Sequence, residues 1–379
     1  MKILHLPATV GGNPQGISRH LRLLGLPSET WTHHQNYLSY PADKVLFKDS
    51  DRVIVRELKR LWALRYIFLF DAVFFNFGSS LYSPFVIPKE PNRSLLFKLG
   101  MKIHQTYVSM MQKVELSLLR AMKKIVFVQY QGDDARQGDF CLSHFEIIPA
   151  QNVEPGFYTP EKDALKRKQI DIFARLAKKI YALNPDLLYV LPERSEFLPY
   201  SHISLEEWSP RYTQIENRPI RFGHAPTNRK SKGTDLILEA ADRLRKAGYE
   251  FELDLVEGVS NQEAKERYAA IDVLIDQLYA GWYGGLAVEA MALGKPVLVY
   301  IREGDLGFIP EEMREDMPFI QVTPATIEDG MKRVLEMPRE ELLSLAKRSR
   351  AYVERWHDPM EIAKRIKSDI ETATKEAQG

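Results

Sequence analysis

The sequence predicts an α/β protein made of two parallel-sheet halves joined by a linker. Three observations carry this. Short apolar runs alternate with helix-periodic stretches through residues 2–199. Residues 201–219 then break the pattern, with Pro210, Pro219 and no sustained periodicity. After that segment the alternation restarts and runs to the end. Strands alternating with helices build a mostly parallel sheet with helices on both faces.

In the first half, residues 2–6, 71–76, 125–130 and 179–182 read as strands. Residues 95–124 read as a long helix rich in Met, Leu and Lys. Residues 173–177 continue a helix, 187–190 begin another helical turn, and 197–199 close the half. In the second half, residues 220–224, 251–256, 273–277 and 296–301 read as strands. Helices are expected over 234–247, 261–269, 286–293, 326–336 and 339–356. A last helix, 360–374, is long enough to cross back to the first half. The expected domains are 1–203 and 218–357, with 358–379 packing back on the first. Two such halves imply a cleft, with ligands at the carboxyl ends of strands. Four polar or glycine-rich loops fall there: 7–16, 129–136, 224–233 and 280–285.

The bulk numbers fit this picture. The chain has 379 residues, roughly two domains of about 150 each. Net charge is +1, so no basic field points to nucleic acid. The single Cys141 excludes an intrachain disulfide and a cysteine-rich zinc site. The start, MKILHLPATVGG, reads as a strand entering a turn rather than a signal peptide. The apolar stretch 62–77 is broken by Arg65 and Asp71, so no spanning helix is expected. A cytoplasmic location is expected. Residues 56–65 and 98–124 carry Lys and Arg beside Trp, Leu and Met. The reading adopted is core-packing helices with a solvated basic side. The competing reading is peripheral membrane contact at the inner face, near a lipid-linked acceptor.

The most informative stretch is 280–301, AGWYGGLAVEAMALGKPVLVYI. Gly284 and Gly285 lack a Cβ and admit close approach of a ligand to the backbone. The helix after them offers free N–H groups that favour an anion. Glu289 stands about one turn inside, Gly294 ends the helix, and a buried strand follows. A second stretch is 224–234, HAPTNRKSKGT, between a strand and a helix. Arg229 and Lys232 are placed to reach an anion above that helix, and Thr234 and Asp235 are candidate N-caps. Either stretch alone also fits an empty loop.

Together they resemble the C-terminal half of a GT-B glycosyltransferase of family 4, over roughly residues 198–358. The KGT at 232–234, EAMALGKPVL at 289–298 and ERWHDP at 354–359 carry the resemblance. It implies two Rossmann-like domains facing across a cleft, with a nucleotide-sugar donor on the second and a C-terminal helix crossing back to the first. Carried over by position, Lys232 and Arg229 would neutralise the donor diphosphate. Glu289 matches the second glutamate of the family's E-x7-E motif and would accept hydrogen bonds from ribose. Tyr283, Gly284, Gly285 and Leu286 would bind the donor, with backbone N–H groups around Gly284–Ala287 meeting phosphate and sugar. The first glutamate of that motif falls at Gly281, and the usual Gly-Arg of the basic loop reads Gly223-His224.

The first half resembles the family more loosely. Gly11, Gly12 and Gly16 form a glycine loop after the first strand, but GGNPQG is not the dinucleotide fingerprint GxGxxG. Gln129 to Arg136, QYQGDDAR, is similar to the family's G-x-D-x-R. Gln131 stands where a histidine is usual; it hydrogen-bonds a sugar but is no base. Asp134 either serves the acceptor or pairs with Arg136. Gln131 and Asp134 are the catalytic candidates. No metal motif stands out among Glu252, Asp254, Asp272 and Asp276, and neither His33-His34 nor Met110-Met111 reads as a ligand set. No metal and no cofactor beyond the nucleotide-sugar substrate is expected. The expected function is a retaining, metal-independent transfer of a sugar from a nucleotide diphosphate to an acceptor hydroxyl, on a glycan, lipid-linked glycan or small molecule. The alternatives are a non-catalytic nucleotide- or glycan-binding protein and a sugar-nucleotide epimerase.

Overall fold

The computed structural model describes residues 1–7, 11–35, 40–88, 93–212 and 218–378. Part of the first glycine-rich loop (8–10) and of the linker (213–217) lies outside the described residues. The chain divides into two compact units. The first comprises residues 1–137, 158–198 and 360–379.

That unit begins with β1 (Ile3–Leu6), α1 (Asn13–Leu23), β2 (Ser28–Thr32), β3 (Lys44–Val45), α2 (Val53–Ile67), β4 (Ala72–Asn76), α3 (Leu95–Ala121) and β5 (Ile125–Tyr130). The chain leaves it through α4 (Gly138–His144) and re-enters with α5 (Pro160–Ala174), β6 (Lys179–Ala182) and β7 (Glu196–Phe197). All seven strands are parallel, in the order β3-β2-β1-β4-β5-β6-β7. Ile3 registers with both Ser28 and Ala72, and Ala72 with Ile125. Side chains alternate between faces. Leu4, Leu6, Val73, Phe75, Val126 and Val128 face one core with α2, α3 and α5. Ile3, Ala72, Phe74, Ile125 and Phe127 face the other, with Ile17 and Leu21 of α1. With both faces covered, the central strands read as unbroken apolar runs, which is why they were legible.

The second unit comprises residues 138–157 and 199–359. It carries β8 (Ile220–His224), α6 (Arg229–Lys232), α7 (Thr234–Lys246), β9 (Phe251–Leu255), α8 (Asn261–Ala270), β10 (Val273–Ile275), α9 (Gly285–Ala292), β11 (Val297–Val299), α10 (Glu311–Glu315), β12 (Ile320–Gln321), α11 (Ile327–Glu336) and α12 (Arg339–Trp356). Its five strands are parallel, in the order β12-β11-β10-β8-β9. The last helix, α13 (Pro359–Gln378), packs Ile362, Ile366 and Ile370 into the first unit's second core. Both orders are doubly wound, and each reverses direction at one point: between β1 and β4, and between β8 and β10.

Several expectations change. β2, β3, β7 and β12 escaped the sequence reading because they are short or polar; Ser28 of β2 is buried, but its hydroxyl is paired with Ser18 at 2.8 Å. α1 starts inside the supposed glycine loop, and Gly16 lies within it, donating its N–H to Gly12 O at 2.9 Å. Residues 138–157, placed by sequence in the first domain, group with the second unit. Phe145 carries the Arg302 guanidinium 3.9 Å above its ring, and Ile147 O accepts from the same group at 2.9 Å. The core-packing reading of α2 and α3 also changes. α2 buries only Ala63, Leu64 and Ile67, and Leu95, Leu96, Phe97, Leu99 and Ile103 in the first half of α3 stand exposed. No described helix is long and apolar enough to cross a membrane.

Candidate functional site

The second unit's site grows from the ends of β8 and β10, where the strand order reverses. β8 ends at His224, which is buried. Its Nδ1 meets Ile275 O at 2.8 Å and its Nε2 meets Thr234 Oγ1 at 2.9 Å. A carbonyl only accepts, so Nδ1 carries the proton and Nε2 accepts from the threonine. Burial, the largest cause, lowers its pKa and keeps the ring neutral. His224 therefore ties β8 to β10 and to the start of α7. Thr234 is spent on this bond; the N-cap of α7 is Gly233, at φ 81°, and neither Thr234 nor Asp235 caps the helix.

Asn228 caps the short α6, its Oδ1 accepting from Ser231 N at 2.9 Å. That turn directs Lys232 toward the end of β10. The ammonium bonds Gln277 Oε1 and lies 3.6 Å from Asp276 Oδ1. Asp276 is buried, and its Oδ2 accepts the Gly284 N–H at 2.7 Å. Gln277 donates to Trp282 O. Two consecutive residues after β10 thus hold the far end of the 278–284 loop, at Trp282 and Gly284. A Cβ on Gly284 would stand 3.5 Å from Lys232 Nζ and 3.5 Å from Asp276 Oδ2. The absent side chain leaves the ammonium facing the start of α9.

α9 begins at Gly285, with Gly284 as N-cap and no side-chain cap. The N–H groups of the first turn have no intrahelical acceptor. Gly284 N–H is committed to Asp276, and Ala287 N–H to Gly284 O at 3.1 Å. Gly285 and Leu286 remain as the donors the helix start presents. One turn on, Glu289 Oε1 lies 3.3 Å from His202 Nε2, without hydrogen-bond alignment. The same ring covers the helix start: a Cβ on Gly285 would sit 3.3 Å from His202 Cε1.

The side chains of two neighbours of the loop have other partners. The Tyr283 side chain is fully buried and stacked on Trp282, with ring centroids 4.5 Å apart. Its hydroxyl lies 2.9 Å from His357 Nε2 and 3.1 Å from Tyr352 OH. His357 Nδ1 faces Tyr200 O at 3.0 Å, so Nε2 is the acceptor and Tyr283 donates to it. Tyr283 therefore anchors the loop, and only its backbone is left for a ligand. Arg229 faces away, bidentate on Glu257 at 2.8 and 2.5 Å, and its side chain is half exposed.

In the first unit the structure brings Gln131 to the glycine loop. A Cβ on Gly11 would lie 3.7 Å from Gln131 Oε1. Gln131 O accepts from Asn184 Nδ2 at 2.5 Å, and its own Nε2 is buried with no partner among the described residues. Gly11 and Gly12 both take φ near +70° to turn the chain into α1. Asp134 is bound to its own loop: it accepts from Gln131 N at 3.0 Å and Gly132 N at 2.6 Å. Burial and the Asp133 charge push its pKa up to about 6, against those bonds. Arg136 does not pair with Asp134. It binds Asp186 at 2.7 and 3.2 Å and Asp133 at 3.1 Å. Among the described residues no group of three or more His, Cys, Asp or Glu side chains is arranged to hold a metal ion.

His202 and Asp276 border the candidate site of the second unit and were not among the sequence-based candidates. Asp276 had a signal, an acid at a strand end on the switch-point side. His202 had none, since it comes from the linker.

Two doubly wound parallel units in one chain, the last helix returning to the first, form the GT-B fold. Solved structures share it. Sucrose-phosphate synthase from Thermosynechococcus elongatus is 14% identical over 99% of this chain and 100% of that one, with a TM-score of 0.62. HepE from Anabaena, in complex with UDP-glucose, is 11% identical over 98% and 100%, with a TM-score of 0.55. A putative UDP-N-acetylglucosamine 2-epimerase from Listeria monocytogenes is 11% identical over 99% and 97%, with a TM-score of 0.50. At these identities the likeness is one of fold. No protein-family model matches the sequence, and neither does any curated protein.

Proposed function

We propose that the second unit binds a nucleoside diphosphate sugar and that the chain transfers the sugar to an acceptor hydroxyl. One observation carries this: the Lys232 ammonium faces the uncapped start of α9 across the space a Gly284 side chain would fill. A diphosphate in that space meets the ammonium and the Gly285 and Leu286 N–H groups. All of these are fixed before the ligand arrives, which is the arrangement that stabilises a leaving diphosphate. Lys232 already has an acidic neighbour in Asp276, so the diphosphate competes for a cation that is partly neutralised. Glu289, one turn along the same helix, takes the ribose hydroxyls. Arg229 joins the phosphates only by leaving Glu257.

Lysine and helix N–H groups supply the counter-charge, so the proposed transfer needs no metal ion. Retention follows from the resemblance to family 4, with the donor phosphate taking the acceptor proton on the face of departure. Gln131, whose Nε2 has no partner among the described residues, stands beside Gly11 and hydrogen-bonds an acceptor hydroxyl in the first unit. Asp134, held by two backbone N–H groups, shapes that loop.

Calorimetry against UDP, GDP and ADP tests the site, followed by product analysis with the matching sugar donors, with and without chelator. Binding lost in Lys232→Ala, with acceptor-dependent product in the wild type, is the expected result. Conversion of the donor sugar without acceptor would mark an epimerase instead, and binding without turnover a non-catalytic protein.

A further inference from the structure

We propose that α2 and the first half of α3 form a face that docks on an anionic lipid bilayer. This does not rest on the sugar-transfer reading. Among the described residues, 17 of the 26 exposed large apolar side chains lie between Val45 and Met122. Most of them are on two helices, among them Ile54 at 75% and Leu58 at 61% on α2, and Leu95 at 84%, Leu96 at 82%, Leu99 at 56% and Ile103 at 62% on α3. A monomer seldom leaves such contiguous apolar surface to water without a use for it.

The pattern on α3 is two-sided. Val108, Leu116 and Leu119 face the core. A second stripe runs through Leu96, Leu99, Ile103, Met110 and Val114 at three-, four- and seven-residue steps, and stays outside. A helix apolar on two sides belongs in a core or against a second apolar phase. α2 lies beside it, with Glu57 Oε1 3.7 Å from His104 Nε2. The apolar stripes of the two helices therefore belong to one surface.

The charge on that surface selects the occupant. Residues 52–69 and 93–114 hold nine Lys and Arg and one acid, Glu57, whereas the whole chain carries 52 and 51. Some of these cations have local partners, Lys59 with Asp51 and Arg60 with Glu57. Lys44 Nζ lies 3.6 Å above the Trp62 ring and Arg93 5.0 Å above Phe97, so cationic heads stand beside aromatic rings. Apolar side chains flanked by cations match the acyl–headgroup boundary of an anionic leaflet. A twofold homodimer through the same face would set two net-positive surfaces against each other, so a second copy of the chain does not fit.

The test is flotation of the full chain with vesicles of phosphatidylcholine plus phosphatidylglycerol, against phosphatidylcholine alone. Wild type is expected to float with the anionic vesicles and to be released as salt is raised. Leu96→Glu/Ile103→Glu and Lys98→Glu/Lys102→Glu should each lower partitioning by roughly tenfold or more. Leu343→Glu, an exposed position on the second unit, should leave it unchanged. Far-UV circular dichroism confirms that each variant is folded; if one is not, the other decides. Failure of wild type to float overturns the proposal, and so does equal flotation of both double variants. Self-association of lipid-free wild type, abolished by Leu96→Glu/Ile103→Glu in sedimentation velocity, would also overturn it in favour of a dimer.

Discussion

The guanidinium carbon of Arg302 stands 2.7 Å from the point that a Cβ on Gly281 would occupy. Arg302 is held there by Asp305 at 2.9 Å, by Ile147 O at 2.9 Å and by the Phe145 ring. Gly281 itself has φ +77°, and its carbonyl accepts the Arg302 N–H at 2.9 Å. An arginine therefore fills the space that the family pattern gives to an acid. Gly281→Ala should lower the unfolding free energy by about 2 kcal/mol, through the left-handed backbone and the collision together. In Arg302→Ala the collision is gone, and the same glycine change should cost only about 1 kcal/mol. Chemical denaturation of the four proteins measures the difference; strictly additive effects would rule the steric coupling out.

Lys232→Ala and Glu289→Ala probe two different groups of the proposed donor, the diphosphate and the ribose. Loss of a hydrogen-bonded charge on the diphosphate costs about 1.5–3 kcal/mol, or roughly 10- to 100-fold in Kd for a nucleoside diphosphate. Lys232→Ala should weaken inorganic pyrophosphate as well, because it acts on phosphate. Glu289→Ala should weaken the nucleotide and leave pyrophosphate unchanged. Wild-type turnover in both variants would sink the donor assignment.

His5 gives the first unit an acid-sensitive element. It is fully buried in β1, stacked on Phe74 at 4.8 Å, and neither ring nitrogen has a partner among the described residues. Burial, with the Arg22 charge, lowers its pKa from 6.5 to about 3. Between pH 6.5 and 3 the unfolded chain binds a proton that the folded one refuses. Its contribution is therefore present above 6.5 and is lost as pH falls, by about 1.4 kcal/mol per pH unit. His357, also lowered to about 3 by burial, imposes the same slope on the second unit. His5→Phe should flatten the acid side of the first unit's stability profile. Unchanged acid midpoints in that variant would contradict the assignment.

Much of the fold was legible because the central strands are buried on both faces and carry no polar alternation. What escaped was short or polar: β3 is two residues, and β2 reads SETWT. The loop and helix that carry the candidate site were legible where one stretch held both, as at Gly284, Gly285 and Glu289. Side-chain partners distant in sequence were not legible. Nothing local says that Tyr283 points at His357, or that Arg229 prefers Glu257 to the loop it sits in. Nor does the sequence spacing bring Gln131 to Gly11; that contact arises because β1, β4 and β5 lie side by side.

His202 supports the last prediction, because it touches α9 twice. Its ring covers Gly285 and its Nε2 stands 3.3 Å from Glu289 Oε1. It is a positioning residue: it limits where the carboxylate goes, without reaching a phosphate. The His202 side chain is only 2% exposed, so far-UV circular dichroism first checks that His202→Ala leaves the second unit folded. The substitution should free Glu289 to rotate and weaken nucleoside diphosphate binding by roughly fivefold, the worth of about one neutral hydrogen bond. Pyrophosphate affinity should not change, and His202→Gln, which keeps a side-chain donor near Glu289, should recover part of the loss. A role in shaping the α9 start itself would instead weaken nucleotide and pyrophosphate alike. Calorimetry with both ligands on the three proteins separates these outcomes.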